Sequence, residues 1–514
     1  MTADDWWRRP LGELVAGRRV ILAGGVAAGW TTNVPVLRVL GARDVLVVAT
    51  DGRGAGPQPD ASCISVEPQV AEDAGVMERI RAGLAALAGP PAEIIDAVES
   101  FDPEGTALVF GIFLVETPSL CGRPFVAHRR PEWVALEDKT RIDDVLDRAG
   151  VPRAPSTVVP VGDAVHGWRH FDAGTGTVWA ADATNGYHGG GSLTRWVADD
   201  DDARRVSAEL APHCAQVRIM PFLDGIATSV HGIVLPDGVA ALRPVELVTL
   251  RQGRGFRYAG CATFWDPPDA LREEMRAAAR RVGETLRADV DFRGAFTLDG
   301  VATAEGFRPT ELNPRFGAGL AVITRGLGDL PLHLLLDLVV AGLPLGIGAR
   351  ELEQLVLTEA DAHRSGGTWQ LSVDVSVEIT GRPASYVGGM WRWADTGATD
   401  EHGATGEEGA TGEEGATGTD SGNGGSERGD GGGETDEDGG EHGDGTVVAA
   451  GSFARAVFDP ERTPVGPSVG ERAVAFWRFM DAEVGTNVGP LTAPPDLTAG
   501  ACPILSTVRV RKPH

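Results

Sequence analysis

Long apolar runs, paired cysteines and basic stripes are all missing from this sequence, and each lack excludes a class of protein. No run of about 18 apolar residues occurs, so no membrane-spanning helix is predicted. The N-terminal stretch has no apolar core of the kind that a secretion signal carries. The cysteines are odd in number and lack metal-type spacing, which favours reduced thiols in the cytoplasm. They are Cys63, Cys121, Cys214, Cys261 and Cys502.

Acidic residues outnumber basic ones, and half of the excess lies in one segment. The net charge is −27, and segment 396–445 contributes −14 of it through 15 acidic residues and one arginine. This segment repeats ATGEEG and has hardly any apolar residues, so we predict a disordered, Gly-rich insert. No basic stripe is present elsewhere, and a nucleic-acid partner is therefore not expected.

Lysine is nearly absent from the chain. Of 46 lysine and arginine residues, only Lys139 and Lys512 are lysines. Lys512 lies in the tail, whereas Lys139 is predicted to open a helix that runs to about Ala149. An ammonium is a compact point charge and a guanidinium is a wide planar fork, so a tight phosphate site can demand lysine. Lys139 is therefore a candidate for phosphate binding, with chance survival of one lysine as the alternative.

The segment from Phe296 to Gly319, FTLDGVATAEGFRPTELNPRFGAG, is predicted to begin with a β-hairpin. A three-residue loop, Ala304-Glu305-Gly306, would put glycine where a positive φ is needed. The resulting register sets three residue pairs opposite each other: Thr303–Phe307, Val301–Pro309 and Asp299–Glu311.

Three polar side chains of this hairpin then converge on one patch. Directly opposed residues have Cβ atoms about 5 Å apart, which brings Asp299 close to Glu311. Asn313 shares a strand face with Glu311 because it lies two residues further on. Two carboxylates and a carboxamide suit Mg²⁺, and Arg315 would lie beside that ion. For either acid alone, a plain turn or a solvated strand face is the alternative.

A glycine-rich loop, GYHGGGS, lies between two predicted strands. Loops of this composition can fold their backbone N–H groups over phosphates. The candidate phosphate-binding residues are Gly189, Gly190, Gly191 and Ser192. Further along, the stretch from Gln216 to Val234 is predicted to form a strand, a turn and a second strand.

The stretch ALRPVELVTLRQG is predicted to be a strand that carries Arg243, Glu246 and Arg251. Arginines beside a metal site can hold a substrate carboxylate through paired hydrogen bonds. A solvated strand face explains the same residues equally well, so both readings stay open. His231, on a neighbouring predicted strand, is expected to be structural and not catalytic.

The length of 514 residues corresponds to roughly three or four domains. Near the N-terminus, Arg18 to Ala49 reads as strand, glycine loop, helix and strand, which is half of a Rossmann-like sheet. Its loop, GGVAAGW, does not match the G-x-G-x-x-G fingerprint. The role of this N-terminal region is therefore open: it either forms a wall on the substrate side or binds a dinucleotide.

The sequence ELNPR, with an acid twelve residues before its glutamate, resembles the metal-binding signature of the ATP-grasp superfamily. From about Arg19 to about Asp496 the chain looks like the pheganomycin-type peptide ligases. The matching segments include CGRPFVAHRRPEWVALEDKTR, MPFLDGIATSVHG and FARAVFDPERTPVGPSVGERAVAFWRFM. The resemblance implies an α/β and α+β multidomain fold: a Rossmann-like pre-ATP-grasp domain over 1–130, an ATP-grasp domain over 131–350, and a small C-terminal α+β domain over 351–395 and 446–514.

By the same resemblance, Asp299, Glu311 and Asn313 bind Mg²⁺, with Mn²⁺ as an alternative. Arg315 contacts the transferred phosphoryl group, and Lys139 is the first nucleotide lysine. The implied adenine and ribose contacts are Met220, Pro221, Phe222, Leu223 and Asp224. The strand VWAADA departs from the family pattern, because it lacks the second nucleotide lysine.

The expected activity is ATP-dependent, ADP-forming ligation of a carboxylate to an amine, either of which is a small molecule or a peptide. A carboxylate is a poor acyl donor, and ATP converts it to an acyl phosphate that an amine can attack. Two alternatives remain at this point: a kinase of the ATP-grasp type, and a nucleotide-binding module that has lost catalysis. The substrates and the oligomeric state are left open.

Overall fold

The computed structural model describes residues 5–54, 56–71, 74–182, 191–328, 330–371, 373–394, 443–450 and 453–497. Apart from its last three residues, the acidic insert lies outside this part of the chain, so its disorder stays a prediction. Among the helices described, none is long and apolar enough to cross a membrane.

The N-terminal region is built on a parallel sheet. Its strands are β1 (Arg19–Ala23), β2 (Asp44–Ala49), β3 (Ser62–Ser65) and β4 (Leu108–Gly111), in the order β3-β2-β1-β4. Four helices belong to this region: α1 (Asp5–Val15), α2 (Asn33–Val39), α3 (Val76–Ala88) and α4 (Ala92–Phe101). Strands β1 and β2 are apolar and buried almost throughout, as a parallel sheet covered on both faces requires. The predicted strand, loop, helix and strand over Arg18–Ala49 are confirmed.

A second sheet, mostly antiparallel, runs through the rest of the molecule. Its main path is, in spatial order, β16 (Gly306–Asn313), β15 (Gly294–Thr303), β11 (Ile226–Leu235), β13 (Val245–Gln252), β14 (Gly255–Ala262), β17 (Gly366–Leu371), β21 (Phe453–Phe458), β20 (Gly445–Ala450), β18 (Ile379–Val387) and β19 (Met390–Trp393). The short strand β12 (Gly238–Ala241) pairs with β11, and β5 (Ser119–Leu120) pairs with β6 (Arg123–Pro124).

Four strands form a small lobe beside this path. They are β7 (Thr157–Pro160), β8 (Thr177–Ala181), β9 (Thr194–Val197) and β10 (Gln216–Pro221). Strand β10 pairs with β7 and β8, and β9 joins β8 to the large sheet through one bridge, between Arg195 and Gly255. The cleft between this lobe and the large sheet contains the candidate site.

Helices cover both sheets. They are α5 (Pro131–Val134), α6 (Ile142–Arg148), α7 (Ala164–Gly167), α8 (Asp200–Leu210), α9 (Asp269–Val290), α10 (Ala318–Ile323), α11 (Leu332–Val340), α12 (Ala349–Ala362) and α13 (Gly470–Glu483). Helix α11 packs Leu334 and Leu338 on the N-terminal core and Leu336 on the core of the large sheet. Helix α13 packs Trp477 into one core with Val248 of β13. The predicted domain boundaries remain a prediction, since these cores are shared across them.

The β15–β16 hairpin differs from the predicted register near its turn. Its loop has two residues, so Thr303 pairs with Gly306, and Gly300 pairs with Pro309. The predicted pairs Thr303–Phe307 and Val301–Pro309 are therefore wrong. A bulge then inserts Thr310 between the pairs Gly300–Pro309 and Asp299–Glu311, which restores the predicted pairing of the two acids.

Two other local predictions need correction. Helix α6 begins at Ile142 and not at Lys139, because the Asp138 carboxylate accepts hydrogen bonds from the Thr140 N–H (2.9 Å) and hydroxyl (2.7 Å). Such a side-chain turn competes with the first turn of a helix. The segments MWRWADT and GTVVAAGSFARAVFD flank the acidic insert, and the sequence favours them as partner strands. Their strands β19 and β20 are instead separated by β18, since a Gly388-Gly389 turn with positive φ folds β18 and β19 into a local hairpin.

Candidate active site

A cavity of about 340 Å³ lies between the small lobe and the large sheet. That volume is within the range of roughly 300–1,000 Å³ typical of small-molecule sites. Nine of the predicted site residues line it: Gly191, Met220, Phe222, Leu223, Arg251, Asp299, Glu311, Asn313 and Arg315. One end of the cavity is acidic and the other is aromatic.

The three predicted metal ligands do converge at the acidic end. Asp299 and Glu311 face each other across the hairpin, and Asn313 Nδ2 donates to Asp299 Oδ2 at 3.0 Å. Burial and the Glu311 carboxylate raise the pKa of Asp299 to about 7. Two like charges held together favour binding of a cation, and two carboxylates with an amide oxygen fit the hard ion Mg²⁺.

Among the described residues, no third carboxylate joins Asp299 and Glu311 at the acidic end. Within the part of the chain described, no group of three or more His, Cys, Asp or Glu residues is placed to hold a metal ion. Mg²⁺ needs only one or two carboxylates when substrate phosphates and water complete its shell. The residues present therefore fit a metal that binds together with a nucleotide and not a metal fixed by protein alone.

Lys139 belongs to this end of the cavity, even though it does not begin a helix. Its Nζ lies 3.2 Å from Glu311 Oε1, and its side chain is only 10% exposed. The ammonium thus lies beside the predicted metal ligands, where the phosphate oxygens of a bound nucleotide would also lie. The turn at Asp138 presents Lys139 on a short loop ahead of α6.

Arg315 is held in place by a chain of polar contacts. Its Nη2 donates to Asn313 Oδ1 (3.0 Å), and its Nε donates to Glu137 Oε1 (2.7 Å). The same Glu137 oxygen lies 2.8 Å from Arg129 Nη2. Sequence reasoning did not identify Glu137 or Arg129, and the only signal for Glu137 was its position two residues before Lys139.

The aromatic end is formed by residues from four strands and a turn. Met220, Phe222 and Val178 make an apolar cluster with Trp196 and Phe256 packed against it. The ring centroids of Phe222 and Trp196 are 4.4 Å apart and nearly parallel. Such a flat apolar environment suits a planar base.

The backbone of the predicted adenine segment has only some of its hydrogen-bonding groups free to bind a base. The Phe222 N–H donates to the Gly176 carbonyl at 2.9 Å, and Pro221 has no N–H. Leu223 lines the cavity, whereas Asp224 accepts from Arg251 Nη2 at 2.9 Å and is not among the lining residues. The Arg251 guanidinium in turn lies over the Phe222 ring, at 4.9 Å from its centroid.

Two predicted substrate residues, Arg243 and Glu246, do not line this cavity, so its geometry gives their substrate assignment no support and that assignment stays a prediction. Arg243 is 1% exposed and pairs with Asp361 (2.6 Å) and Asp266 (3.0 Å). Glu246 is 2% exposed and accepts hydrogen bonds from Ser468 and Val469.

Strand alternation explains this outcome. Leu247, Thr249 and Arg251 of β13 line the cavity. Glu246 points to the opposite face of the strand, where it binds the N-terminus of α13. Arg243 precedes the strand, so the alternation of β13 does not apply to it.

The glycine-rich loop is described only at its end. Gly189 and Gly190 lie outside the described residues, so their phosphate contacts stay a prediction. Gly191 lines the cavity, and Ser192 Oγ is buried with no hydrogen-bond partner among the described residues.

Two further parts of the chain contribute to the cavity wall. His231 lines it, and burial lowers the pKa of His231 to about 3. Its Nδ1 is buried without a hydrogen-bond partner among the described residues, and the structural role predicted for it stays a prediction. A Cβ on Gly319 would lie 2.5 Å from the His231 ring, which explains the glycine in the RFGAG turn.

The C-terminal segment also reaches the site: Arg251 and Thr492 exchange backbone hydrogen bonds (2.8 and 3.0 Å), and Pro494 lines the cavity.

No protein-family model matches the chain, and no curated protein matches it. Similar solved structures include a biotin carboxylase from Campylobacter jejuni (14% identity, TM-score 0.49, covering 72% of this chain and 80% of that one). A phosphoribosylamine–glycine ligase from Thermotoga maritima has 15% identity and a TM-score of 0.42 (72% and 85%). An L-amino acid ligase from Bacillus licheniformis has 12% identity and a TM-score of 0.42 (72% and 84%). These are ATP-grasp enzymes, the superfamily that the segment from Asp299 to Arg315 resembles, but at TM-scores below 0.5 the likeness by itself assigns no reaction to this chain.

Proposed function

We propose that this protein is an ATP-dependent, ADP-forming ligase that joins a carboxylate to an amine. One observation carries the proposal: Asp299, Glu311 and Asn313 meet Lys139 and Arg315 at one end of a cavity whose other end is aromatic. Such a cavity has a place for each part of a nucleotide, the base at one end and the charged phosphates at the other.

The chemistry has two displacements. A carboxylate oxygen attacks the γ-phosphorus of ATP, the bond to the bridging oxygen breaks, and ADP leaves. An amine nitrogen then attacks the carbonyl carbon of the acyl phosphate, the C–O bond breaks, and inorganic phosphate leaves with the amide formed. The amine loses a proton in this second step.

The protein's own groups supply charge and position. Phosphoryl transfer needs little covalent help from protein, and positively charged side chains offset the charge on the phosphoryl oxygens. Lys139 and Arg315 take this role, and Glu137 keeps the Arg315 guanidinium oriented. Mg²⁺ or Mn²⁺ on Asp299, Glu311 and Asn313 would supply further neutralisation of phosphate charge.

At the other end of the cavity, we assign Met220, Phe222 and Leu223 to the base of the nucleotide. The pair formed by Asp224 and Arg251 belongs to the same end, because Arg251 lies over Phe222. Arg251 is therefore assigned to the nucleotide and not to a substrate carboxylate. Gly191 and the rest of its loop are assigned to the phosphates.

The resemblance to peptide ligases favours an amino acid or a peptide as one of the substrates. We also infer a cytoplasmic location. Cys63, Cys121, Cys214 and Cys261 are free thiols, which agrees with a reducing compartment.

An assay of ADP and phosphate release with panels of amino acids and short peptides tests the proposal. Ligation gives both products only when an acid and an amine are present together. ADP without free phosphate, and with a phosphorylated product, would indicate a kinase. Nucleotide binding without any ADP would indicate a module that has lost catalysis.

A further inference from the structure

A second, smaller cavity lies where the N-terminal region meets the large sheet. Its volume is about 50 Å³, against roughly 10–15 Å³ for one water by the same kind of measure. It therefore has room for a molecule of a few non-hydrogen atoms. Arg315 lines both this cavity and the large one, so the two are neighbours.

Among the described residues, the small cavity is lined by one carboxylate, Asp337, and by three arginines, and Asp337 does not pair with Arg129, which is one of them. Asp337 of α11 is 8% exposed, and its Oδ2 has no hydrogen-bond partner in the described part of the chain. Arg129 is 6% exposed, and its Nε is also without a partner there, although its Nη2 lies 2.8 Å from Glu137 and its Nη1 lies 3.7 Å from Glu116. Burial raises the pKa of Asp337 well above its ordinary range.

An unpaired buried carboxylate is costly, and in a cleft it is typical of a binding site. A cation would satisfy Asp337, whereas an anion would satisfy the free Nε of Arg129. A molecule with both charges close together would satisfy both, and a small α-amino acid is such a molecule.

We propose that the cavity lined by Asp337 and Arg129 is the amine subsite of the enzyme, and that it binds a small α-amino acid. Its ammonium faces Asp337, and its carboxylate faces Arg129. The assignment of this cavity as an amine subsite rests on the proposed ligase function, since the acyl phosphate would form in the neighbouring cavity. The polar chain from Arg129 through Glu137 to Arg315 connects the two sites.

Calorimetry with glycine as the probe tests this subsite without any turnover of ATP. Wild-type protein should bind glycine saturably, and more tightly than it binds acetate or methylamine, which each carry one of the two charges. Asp337→Asn should lower the affinity for glycine by about tenfold or more, which is the size of effect expected for the loss of a charge-assisted hydrogen bond. Asp289→Asn, an exposed carboxylate paired with Arg148 outside both cavities, is the matched control and should change nothing.

A melting curve of Asp337→Asn shows whether the fold survives, and a retained melting temperature is expected because asparagine has the size of aspartate and replaces a carboxyl group whose Oδ2 has no partner among the described residues. Arg129→Lys keeps a cation beside Glu137 and should also weaken the binding of glycine. This variant tests the inference if Asp337→Asn does not fold. No saturable glycine binding, or acetate binding as tight as glycine binding, overturns the inference. Asp337-dependent glycine binding without ADP release in any assay would refute the ligase and leave the subsite standing. Ligation of a small amino acid with an unchanged amine KM in Asp337→Asn would do the reverse.

Discussion

Asp299 and Glu311 stand opposite each other across the β15–β16 hairpin because one extra residue, Thr310, offsets a turn that is one residue shorter than predicted. The bulge also re-aims the strand at the point where the cavity needs two carboxylates on one patch. Bulges are common beside active sites for this reason. The closeness of the two acids is reflected in the raised pKa of Asp299, for which burial is the largest cause and Glu311 the next.

Glu311→Gln should abolish ADP formation and leave the fold intact. The change keeps the size of the side chain and removes the charge that pairs with Lys139 (3.2 Å) and that would bind the proposed metal. A loss of roughly 10²-fold or more is expected, as for other groups that stabilise charge in a transition state. ADP release at saturating Mg²⁺ and a melting curve measure the two effects.

The matched control is Glu305→Gln, an exposed residue in the turn of the same hairpin. It should retain full activity. Near-normal turnover of Glu311→Gln at saturating Mg²⁺ would show that the two acids are not metal ligands.

Lys139→Arg is expected to weaken nucleotide binding although it keeps the charge. The ammonium is largely buried against Glu311, and a planar guanidinium needs more width than such a place offers. We expect a loss of about tenfold in affinity for a non-hydrolysable ATP analogue, which is about 1.4 kcal/mol. Calorimetry in the presence of Mg²⁺ measures it, with Lys512→Arg as the control. Equal affinities of the two variants would leave Lys139 without a role in binding the nucleotide.

The sequence was sufficient for the residues whose position depends on local pattern. Strand alternation and hairpin pairing brought Asp299, Glu311 and Asn313 together, and the apolar strands β1 and β2 were evident from composition. The exact turn was not predictable, because two-residue and three-residue loops are both compatible with Ala304-Glu305-Gly306. The pairing of the acids was correct only because the bulge compensated for the turn.

Residues that depend on long-range packing were beyond sequence reasoning. Glu137 approaches Arg315 from 178 positions away, and Thr492 approaches Arg251 only through the C-terminal segment. The sequence does not show which face of β13 is covered by α13 or which acids approach from α12, so it could not indicate that Glu246 and Arg243 lie away from the cavity. Their partners Asp361 and Ser468 lie over a hundred residues further on.

Glu246 should make the stability of the protein fall as the pH rises from acid to neutral. Burial raises the pKa of Glu246 from 4.5 to about 7, although Ser468 and Val469 donate to it. A raised folded-state pKa means that the contribution to stability is full below the unfolded-state pKa and is lost as the pH rises through the folded-state value. The window is therefore about pH 4.5 to 7, and the change is about 3 kcal/mol at most.

Urea unfolding at several pH values across that window measures the slope for the wild type and for Glu246→Gln. The variant cannot ionise at this position, so its slope should be smaller by the contribution of Glu246. Identical slopes would mean that Glu246 has no raised pKa in the folded protein. Asp337 contributes in the same direction in both proteins, so the difference isolates Glu246.

The last prediction concerns which residues of the acidic insert can be deleted. Removal of residues 398–441 should leave stability and catalysis nearly unchanged, because lengthening a loop costs only about 0.6 kcal/mol per doubling. Asp444 must be kept: it accepts from the Tyr386 N–H (2.9 Å) and from Arg472 (3.2 Å), which is only 7% exposed. Asp444→Asn, or a deletion extended through Asp444, should cost about 3–5 kcal/mol, because Arg472 becomes a buried cation without its partner. Urea unfolding of the two deletions side by side measures the difference. Equal stabilities would contradict the role of Asp444, and a large loss in the shorter deletion would mean that the insert itself contributes to the fold.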